Sequence, residues 1–377
     1  LITGRYGHRF GYECNLSDRT NGLPLEEETI AEVFKTNGYR TAAIGKWHLG
    51  SRDEQHPNNR GFDLFYGMKA GGRDYFYNEK KSDRPGDERN LLLNDRQVKF
   101  EKYLTDAFSE KAVEFINESS QPFMMYLAYN AVHTPMQATD EDMAKFEGHP
   151  RQKLAAMTYA LDRGVGTVIR GLKDSGKFDN TLIFFLSDNG GATTNQSSNY
   201  PLKGFKGNKF EGGHRVPYFV VWKNGIPAGK PYDGLVSSLD IFATAIDAAS
   251  ISKTRNRLDG VSLLPYLKGK KGEPHKVLYW RKMDTRAIRS GDYKLIITHG
   301  VDSVLYNIRR DPEEMNNLIN KEPDLYRKLA KKLAKWEKNE CIEPSWLEEG
   351  WRKITNRYHQ QLMHNEIKTA QDLYKRK

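Results

Sequence analysis

The chain has 377 residues, which is enough for a large hydrophobic core and predicts one large domain with a smaller one beside it. Hydrophobic residues make up 38% of the sequence, and no apolar run approaches the roughly 18 residues of a membrane span, so we expect no membrane-spanning helix. The net charge of +10 indicates a polyanionic partner, but no helix-turn-helix, zinc-finger or RNA-recognition pattern is present, so we expect no nucleic-acid partner.

Helix and strand patterns alternate from residue 26 to about residue 250. The pattern predicts helices over 26–35, 154–172 and 238–249, and strands over 41–44, 181–186 and 216–222, with a further strand beginning at Phe123. This alternation indicates an α/β sandwich around a large, mainly parallel sheet. Because the run 181–186 is apolar throughout, we expect it to be a buried strand of that sheet.

The composition shifts near residue 270. Short strand patterns follow over 276–280, 287–297 and 303–308, and a helix pattern follows over 324–338, which predicts a small antiparallel sheet with one helix packed on it. The tail is basic and aromatic, with Trp346, Trp351 and Tyr358, and either packs back on the body or extends into a partner. The predicted divisions are a catalytic domain over 1–270, a subdomain over 271–341 and the tail over 342–377.

Polar residues follow three of the predicted strands, where ligands collect in α/β sheets. Asp188 and Asn189 follow the strand 181–186 and offer the hard oxygen ligands that Ca²⁺ or Mg²⁺ prefers. Lys46 and His48 follow the strand 41–44, and their spacing along an extended segment places them on one side. An ammonium and an imidazole suit an anionic substrate that needs a proton transfer.

Two further segments hold candidate site residues. His133 follows the strand that begins at Phe123 and precedes a Thr-Pro turn. The segment Pro-Leu-Lys-Gly-Phe-Lys-Gly-Asn-Lys-Phe-Glu-Gly-Gly-His-Arg-Val-Pro at 201–217 combines glycines, which let the backbone approach a ligand, with lysines, which hold an oxyanion. Candidate residues for substrate binding are Lys209 and His214 in this loop, and Arg73 and Asp74 in the long polar loop 69–94.

In combination and in order, these segments resemble the type I sulfatases of the alkaline-phosphatase superfamily over about residues 1–320. Lys46 and His48 match the family's Gly-Lys-Trp-His signature, and His133 matches its His before Thr-Pro. Asp188 with Asn189 matches the second pair of calcium ligands, and Lys206 matches the lysine of the family's glycine-rich loop. The resemblance implies an alkaline-phosphatase-like fold with a smaller C-terminal subdomain.

One departure from the family concerns the nucleophile. The residues Leu-Ile-Thr-Gly at 1–4 look like the tail of the family's Cys-x-Pro-Ser-Arg-x-x-Leu-x-Thr-Gly motif, whose Cys is oxidised to formylglycine. By this match, that Cys and the family's Asp-Asp pair would precede Leu1, so the chain contains no nucleophile. Cys14 does not replace it, because no Pro-Ser-Arg follows. We therefore expect a fragment of a longer protein that is inactive by itself.

The resemblance also implies a mechanism and its partners. Lys46 and Lys206 would hold the sulfate together with one Ca²⁺, His133 would protonate the leaving oxygen, and His48 would act as the base. The expected substrate is a sulfated carbohydrate or polysaccharide. A formylglycine-generating or anaerobic sulfatase-maturating enzyme would be needed, and the relatives suggest a periplasmic or secreted protein.

Two alternatives stay open at the level of the sequence. The same metal and lysine pattern suits a phosphoric-ester or phosphonate hydrolase of the superfamily. A chain whose nucleophile is replaced would instead be a non-catalytic, glycan-binding pseudo-sulfatase. The residue at the upstream Cys position distinguishes the enzyme from the binder.

Overall fold

The computed structural model of the chain describes residues 1–13, 21–345 and 347–375, so Cys14 and Trp346 lie outside the described residues. The strands, in chain order, are β1 (Arg40–Lys46), β2 (Leu64–Met68), β3 (Leu92–Leu93), β4 (Arg96–Gln97), β5 (Phe123–Ala128), β6 (Ile183–Leu186), β7 (Tyr218–Val221), β8 (Val277–Lys282), β9 (Thr285–Ser290), β10 (Tyr293–Thr298) and β11 (Asp302–Asn307). The α-helices are α1 (Ile30–Thr36), α2 (Leu104–Glu118), α3 (Asp140–Ala144), α4 (Gln152–Asp174), α5 (Glu211–His214), α6 (Asp240–Ala248), α7 (Leu264–Leu267), α8 (Pro323–Glu340), α9 (Glu349–Met363) and α10 (Ala370–Lys375). Short 3-10 helices cover Gly7–Phe10, Asp53–Gln55, Pro57–Arg60 and Phe178–Asn180.

The main sheet has the strand order β4-β3-β2-β1-β5. Strand β1 pairs in parallel with β2 on one side and with β5 on the other, and the short strands β3 and β4 are antiparallel. In this register Gly45 lies opposite both Gly67 and Ala128, so the carboxyl ends of β1, β2 and β5 meet at one edge of the sheet. That edge is where the polar residues after β1 and β5 come together.

Helices cover both faces of this sheet. Successive residues of β1 point to opposite faces, so Ala42 and Ile44 pack in one apolar cluster and Ala43 packs in the other. The first cluster includes Phe108 of α2 and Met157 of α4. The second includes side chains of α1 and α6. The fold is therefore a mixed α/β sandwich, as the alternating pattern predicts.

The boundary of α1 and the environment of β6 differ from the predictions. Helix α1 begins at Ile30 rather than at residue 26, because Thr29 and Glu32 form a reciprocal capping box there. The prediction that 181–186 is a buried parallel strand is wrong. Strand β6 pairs antiparallel with β7 in a separate two-stranded sheet, and Phe185 is 38% exposed. An apolar run by itself does not distinguish an edge strand from a central one.

Strands β5 and β6 are edge strands in the described part of the chain. Strand β5 pairs only with β1, and β6 pairs only with β7, so each presents one edge of backbone groups without a strand partner. Every residue of β5 is half-buried rather than buried. Edges of this kind pair readily with an additional strand.

The C-terminal part forms an antiparallel sheet in the order β11-β10-β9-β8 with α8 packed against it, as predicted. The single predicted strand over 287–297 is wrong, because the chain forms a hairpin there. Gly291 adopts a left-handed φ of 55° between β9 and β10, a conformation that suits glycine in a tight turn. The domain division at residue 270 stays a prediction.

The tail packs back on the body through α9 and α10. Leu362, Met363 and Ile367 are buried in one cluster with Phe205 and Phe210 of the glycine-rich loop. Of the two possibilities left open by the sequence, the structure therefore shows the first. No helix in the described ranges has the length and apolar character needed to cross a membrane.

Candidate active site

Lys46 and His48 lie at the carboxyl end of β1. Lys46 is the last residue of the strand, and the Trp47 indole N–H donates to the Gln55 carbonyl 3.0 Å away, which fixes the turn. His48 has a φ of 55°, so the segment is not extended up to His48 as the spacing argument assumed. A left-handed non-glycine residue is uncommon and is held here by its neighbours, since the His48 N–H donates to the Lys69 carbonyl at 3.0 Å.

Gly45 allows the close approach of β5 at this point. Its φ is 106°, and a Cβ added there would lie 2.0 Å from the Ala128 carbonyl oxygen. Only glycine fits between the two strand ends. The backbone that precedes Lys46 is therefore set by direct contact with the end of β5.

His133 has a defined orientation. Its Nδ1 lies 2.8 Å from the Thr134 carbonyl oxygen, which can only accept, so Nδ1 carries the proton and Nε2 is left to exchange one. The backbone of the loop is held by the buried Tyr75, whose hydroxyl lies 2.8 Å from the Asn130 carbonyl and 2.9 Å from the His133 carbonyl. The imidazole is thus positioned from two sides.

The glycine pair Gly71-Gly72 packs against both histidines. A Cβ on Gly71 would lie 2.5 Å from Cε1 of His48, and one on Gly72 would lie 3.1 Å from Nδ1 of His133. The start of the loop 69–94 therefore packs on both imidazoles, which contact adjacent residues of this loop.

Asp188 and Asn189 follow β6, and the Asn189 side-chain amide donates to the Asp188 carboxylate. Both offer hard oxygen atoms, and the Asp188 side chain is exposed, so this pair fits part of a calcium shell. Ca²⁺ takes six to eight oxygen ligands, however, and the described residues contain no group of three or more His, Cys, Asp or Glu side chains that could hold a metal. Further ligands would have to come from elsewhere.

The glycine-rich loop is joined to the Asp188 turn. The Lys206 N–H donates to the Gly191 carbonyl at 3.0 Å, and the Gly190 N–H donates to the Gly213 carbonyl at 3.1 Å. A Cβ on Gly190 would lie 1.8 Å from the Gly212 carbonyl oxygen, so the two segments can pack this closely only because residue 190 is glycine. Lys206 itself is exposed.

Electrostatic coupling shows that these side chains share one site. Burial lowers the pKa of Lys46, the Asp188 carboxylate opposes that change, and the charge of Lys206 adds to it. Burial lowers the pKa of His48 to about 4, and the charges of Lys46 and Lys206 contribute. Burial also lowers the pKa of His133, against the hydrogen bond to Thr134. The charges of Lys46, Lys206 and Asp188 thus act on both histidines, and the excess of positive charge suits an anionic group.

His214 and Lys209 belong to the base of the glycine-rich loop. The His214 ring stacks on Trp280 with centroids 4.5 Å apart, and its Nε2 lies 3.0 Å from Nζ of Lys294. Burial lowers the pKa of His214 to about 3, so the ring is neutral. The Lys209 N–H donates to Nε2 of His359 at 3.3 Å. The described contacts of His214 are with Trp280, Lys294 and Lys209, and the substrate-binding role of His214 and Lys209 stays a prediction.

Arg73 and Asp74 are enclosed in the loop 69–94. The fully buried Arg73 guanidinium pairs with Asp83 at 2.8 Å, and the Asp74 carboxylate accepts hydrogen bonds from Ser82 at 2.6 Å and from Gln137 at 2.9 Å. These contacts hold the loop in place over the histidines. Their predicted contact with a sugar also stays a prediction.

The sequence did not indicate the supporting contacts of Tyr75, Gly71 and Tyr12. The Tyr12 hydroxyl donates to the His48 carbonyl at 3.2 Å. Tyr75 stands beside Arg73 and Asp74, and the Gly-Gly pair precedes them, but neither pattern indicates contact with a histidine distant in sequence. These contacts arise because the fold places these residues beside the segments that follow β1 and β5.

Comparison with known proteins assigns the family. A family model described as Sulfatase matches residues 1–251, and a second, described as N-sulphoglucosamine sulphohydrolase, C-terminal, matches residues 206–339. The chain therefore belongs to the sulfatase family. It is 37% identical over 313 residues to an uncharacterized sulfatase, YdeN, of Escherichia coli, and 30% identical over 318 residues to the N-acetylgalactosamine-6-sulfatase of the dog.

These matches cover 74% and 78% of the chain, but only 54% and 60% of the relatives' own lengths. The chain thus spans little more than half of the curated relatives it matches. Among solved structures, Ps i-CgsB in complex with k-i-k-neocarrahexaose has a TM-score of 0.85 at 36% identity, covering 95% of this chain and 84% of that one. The structure of BT4656 in complex with its substrate D-glucosamine-2-N,6-O-disulfate, at 19% identity and a TM-score of 0.70, supports the fold alone.

Proposed function

We propose that the full-length protein hydrolyses sulfate esters of a sulfated carbohydrate, in the periplasm or outside the cell. The observation that carries this proposal is that Lys46, His48 and His133 follow β1 and β5 at one edge of the sheet, where the charges of Lys206 and Asp188 act on all three. These groups come from four separate segments, and each offers a function that sulfate ester cleavage requires. Family membership supports the same reaction.

The two lysines would hold the sulfate group. Positive charges fixed before the reaction stabilise the charge that develops on the sulfate oxygens, which is usually the largest catalytic contribution. Lys206 is exposed and Lys46 is half-buried, so neither residue is closed off from an incoming sulfate. Mutual repulsion of the two cations would be relieved when the anion binds.

The two histidines would move the protons. With Nδ1 of His133 bound to a carbonyl, Nε2 is the atom that would give a proton to the departing sugar oxygen. A sulfate held nearby favours the protonated ring, since opposite charges stabilise one another. His48 has a pKa of about 4 and is neutral at pH 7, so it can accept a proton as the base.

Two groups from outside the chain would complete the site. A formylglycine in a segment before Leu1, installed by a formylglycine-generating or anaerobic sulfatase-maturating enzyme, would supply the nucleophilic oxygen. Asp188 and Asn189 would hold a calcium ion, which supplies positive charge beside the sulfate. The edges of β5 and β6 support this proposal, because each strand has one strand partner and could pair with a strand of such a segment.

The first substrate to test is k-i-k-neocarrahexaose, the oligosaccharide bound by Ps i-CgsB, which is 36% identical to the chain. The protein extended upstream through the Cys motif, produced with a maturating enzyme, should release sulfate from a sulfated sugar. Residues 1–377 alone should not. No turnover by the matured protein on any sulfate ester, with retained glycan binding, would favour the pseudo-sulfatase, and turnover of phosphodiesters instead would favour the phosphoric-ester hydrolase.

The role of His133 is tested by its alanine variant in the matured protein. His133→Ala should lose on the order of 10²–10⁴-fold in kcat on a sugar sulfate, whose alkoxide needs a proton, and much less on an activated aryl sulfate. His149→Ala, a change at an exposed histidine, is the matched control and should leave both rates unaltered. Equal losses on the two substrates for His133→Ala would contradict its role as the acid.

A further inference from the structure

Helix α8 has an apolar side that packs on the C-terminal sheet. Leu329, Leu333 and Trp336 are buried against β9, β10 and β11. This side fixes the rotation of the helix about its axis, so the direction of every other side chain of α8 follows from the helical period.

The opposite side of α8 carries a row of exposed lysines, here named the cationic ridge. Its members are Lys328, Lys331, Lys332, Lys335 and Lys338. At 3.6 residues per turn these positions fall within an arc of about 120° and extend over about 15 Å along the helix. The five lysines correspond to half of the net charge of +10.

The ridge is not neutralised within the described part of the chain. The acidic residues of α8 pair elsewhere: Glu337 with Arg286 at 2.7 Å, Glu340 with Arg9, and Asp324 with Arg327. No ion pair among the described residues involves a ridge lysine. Lysines three and four positions apart on a helix repel one another, so this row weakens the helix unless an anion is bound.

The ridge lies on the far side of the C-terminal sheet from Lys206. Along β9 to β11, Ile288, Leu295 and Leu305 face α8, whereas the alternate residues face the cluster that contains Phe205 of the glycine-rich loop. The sheet therefore separates the ridge from the candidate active site. A ligand on the ridge would bind outside the catalytic region.

We propose that the cationic ridge is a secondary binding surface for the sulfate groups of a sulfated polysaccharide. The choice of sulfate over phosphate rests on the proposed function, and the composition of the ridge supports it. Surfaces that bind single-stranded nucleic acid add aromatic stacking to positive charge, whereas Trp336 is buried and Tyr326 is half-buried on the opposite side. Point charges without stacking partners suit a polymer of sulfated sugars.

The test uses the full-length protein and dextran sulfate, with single-stranded DNA of equal charge as the comparison polymer. In the ridge variant all five lysines are changed to glutamine, a good helix former that removes only the charge. The control variant changes five dispersed exposed lysines to glutamine, which gives the same change in net charge: Lys145, Lys153, Lys173, Lys223 and Lys230. Affinities are measured at several salt concentrations.

The ridge variant should lose at least about tenfold in affinity for dextran sulfate and show a weaker salt dependence, because fewer counterions are released on binding. The control variant should lose little. Equal losses in both variants, or DNA bound by the unmodified protein as tightly as dextran sulfate, would overturn the proposal. Turnover of an aryl sulfate by the unmodified matured protein reports separately on the proposed function.

Discussion

The two candidate lysines of the site are held by different kinds of structure. Lys46 ends a central strand that is paired on both edges and covered on both faces by apolar clusters. Lys206 lies in a loop without regular structure of its own, between Phe205 and the short helix α5. The position of Lys46 is therefore set by the sheet, and that of Lys206 has to be set by contacts from distant parts of the chain.

A buried ionic cluster anchors the loop of Lys206. The Lys294 ammonium is completely buried between Glu211 at 2.9 Å and Glu314 at 3.0 Å. Burial by itself would raise the pKa of Glu211, but the charges of Lys294 and its neighbours hold that pKa below its usual range, whereas burial raises the pKa of Glu314. The loop thus depends on charged side chains from β10 and from the segment after β11.

The tail adds a second anchor to the same loop. Lys203 donates to the Glu314 carbonyl at 3.0 Å and to the Asn365 side chain at 2.5 Å, and the Gly204 N–H donates to the Lys368 carbonyl at 2.7 Å. His359 of α9 is completely buried and accepts from the Lys209 N–H. The C-terminal subdomain and the tail therefore contribute to the site without contributing a catalytic group.

The largest effect is expected from Lys294→Met, which tests the buried cluster. Removing the cation leaves the buried Glu314 carboxylate without its ion-pair partner and leaves Glu211 paired with Arg289 at 3.2 Å, which should cost about 3–5 kcal/mol of unfolding free energy, measured by urea denaturation. Activity of the matured protein should fall as well, because the Lys206 loop loses its anchor. The matched control, Lys35→Met, breaks the exposed pair with Asp63 and should cost at most about 1 kcal/mol. Similar costs for the two variants would show that the cluster does not hold the loop.

The next effect concerns the sheet side of the comparison. Gly45→Ala should cost about 2–4 kcal/mol, since the new Cβ would combine an unfavourable φ with a clash against Ala128. It should also lower kcat about 10²-fold by displacing Lys46. Gly38→Ala is the control, because Gly38 has a φ of 81° but no atom lies within 4 Å of an added Cβ. It should lower the free energy of unfolding by only about 1 kcal/mol and leave activity intact. If Gly38→Ala lost as much stability and activity as Gly45→Ala, the close approach of β1 and β5 would not explain the effect of Gly45→Ala.

The smallest effect is a pH dependence at the tail. Burial lowers the pKa of His359 to about 3, so the folded protein keeps this ring neutral while the unfolded chain protonates it near pH 6.5. His359 therefore does not lower the free energy of unfolding well above pH 6.5. It lowers that free energy progressively as the pH drops toward 3, because the unfolded state then binds more protons. His359→Gln can keep both hydrogen bonds without titrating. When the pH is lowered from 7.5 to 5.5, the free energy of unfolding of this variant should rise by about 1 kcal/mol relative to that of the unmodified protein, measured by thermal unfolding at each pH. Parallel pH profiles would contradict a neutral buried His359.

The sequence by itself determined the local elements with regular patterns. The helix predicted over 154–172 is confirmed by α4, the strand that begins at Phe123 by β5, and the helix over 324–338 by α8. The motifs also placed Lys46, His133, Asp188 and Lys206 at the ends of strands or in the glycine-rich loop. Periodicity and motif order are local properties, which the sequence states directly.

Only the tertiary structure decided which segments meet. Strand β6 is apolar like a central strand, yet it pairs with β7, because pairing depends on which neighbour is present and not on the strand's own composition. The tertiary structure likewise decided three other features: the hairpin at Gly291, the left-handed conformation of His48 and the contact of Tyr75 with the His133 loop. The two anchors tie the Lys206 loop to residues at least 83 positions away in the sequence, through buried polar and charged groups whose partners no local pattern identifies.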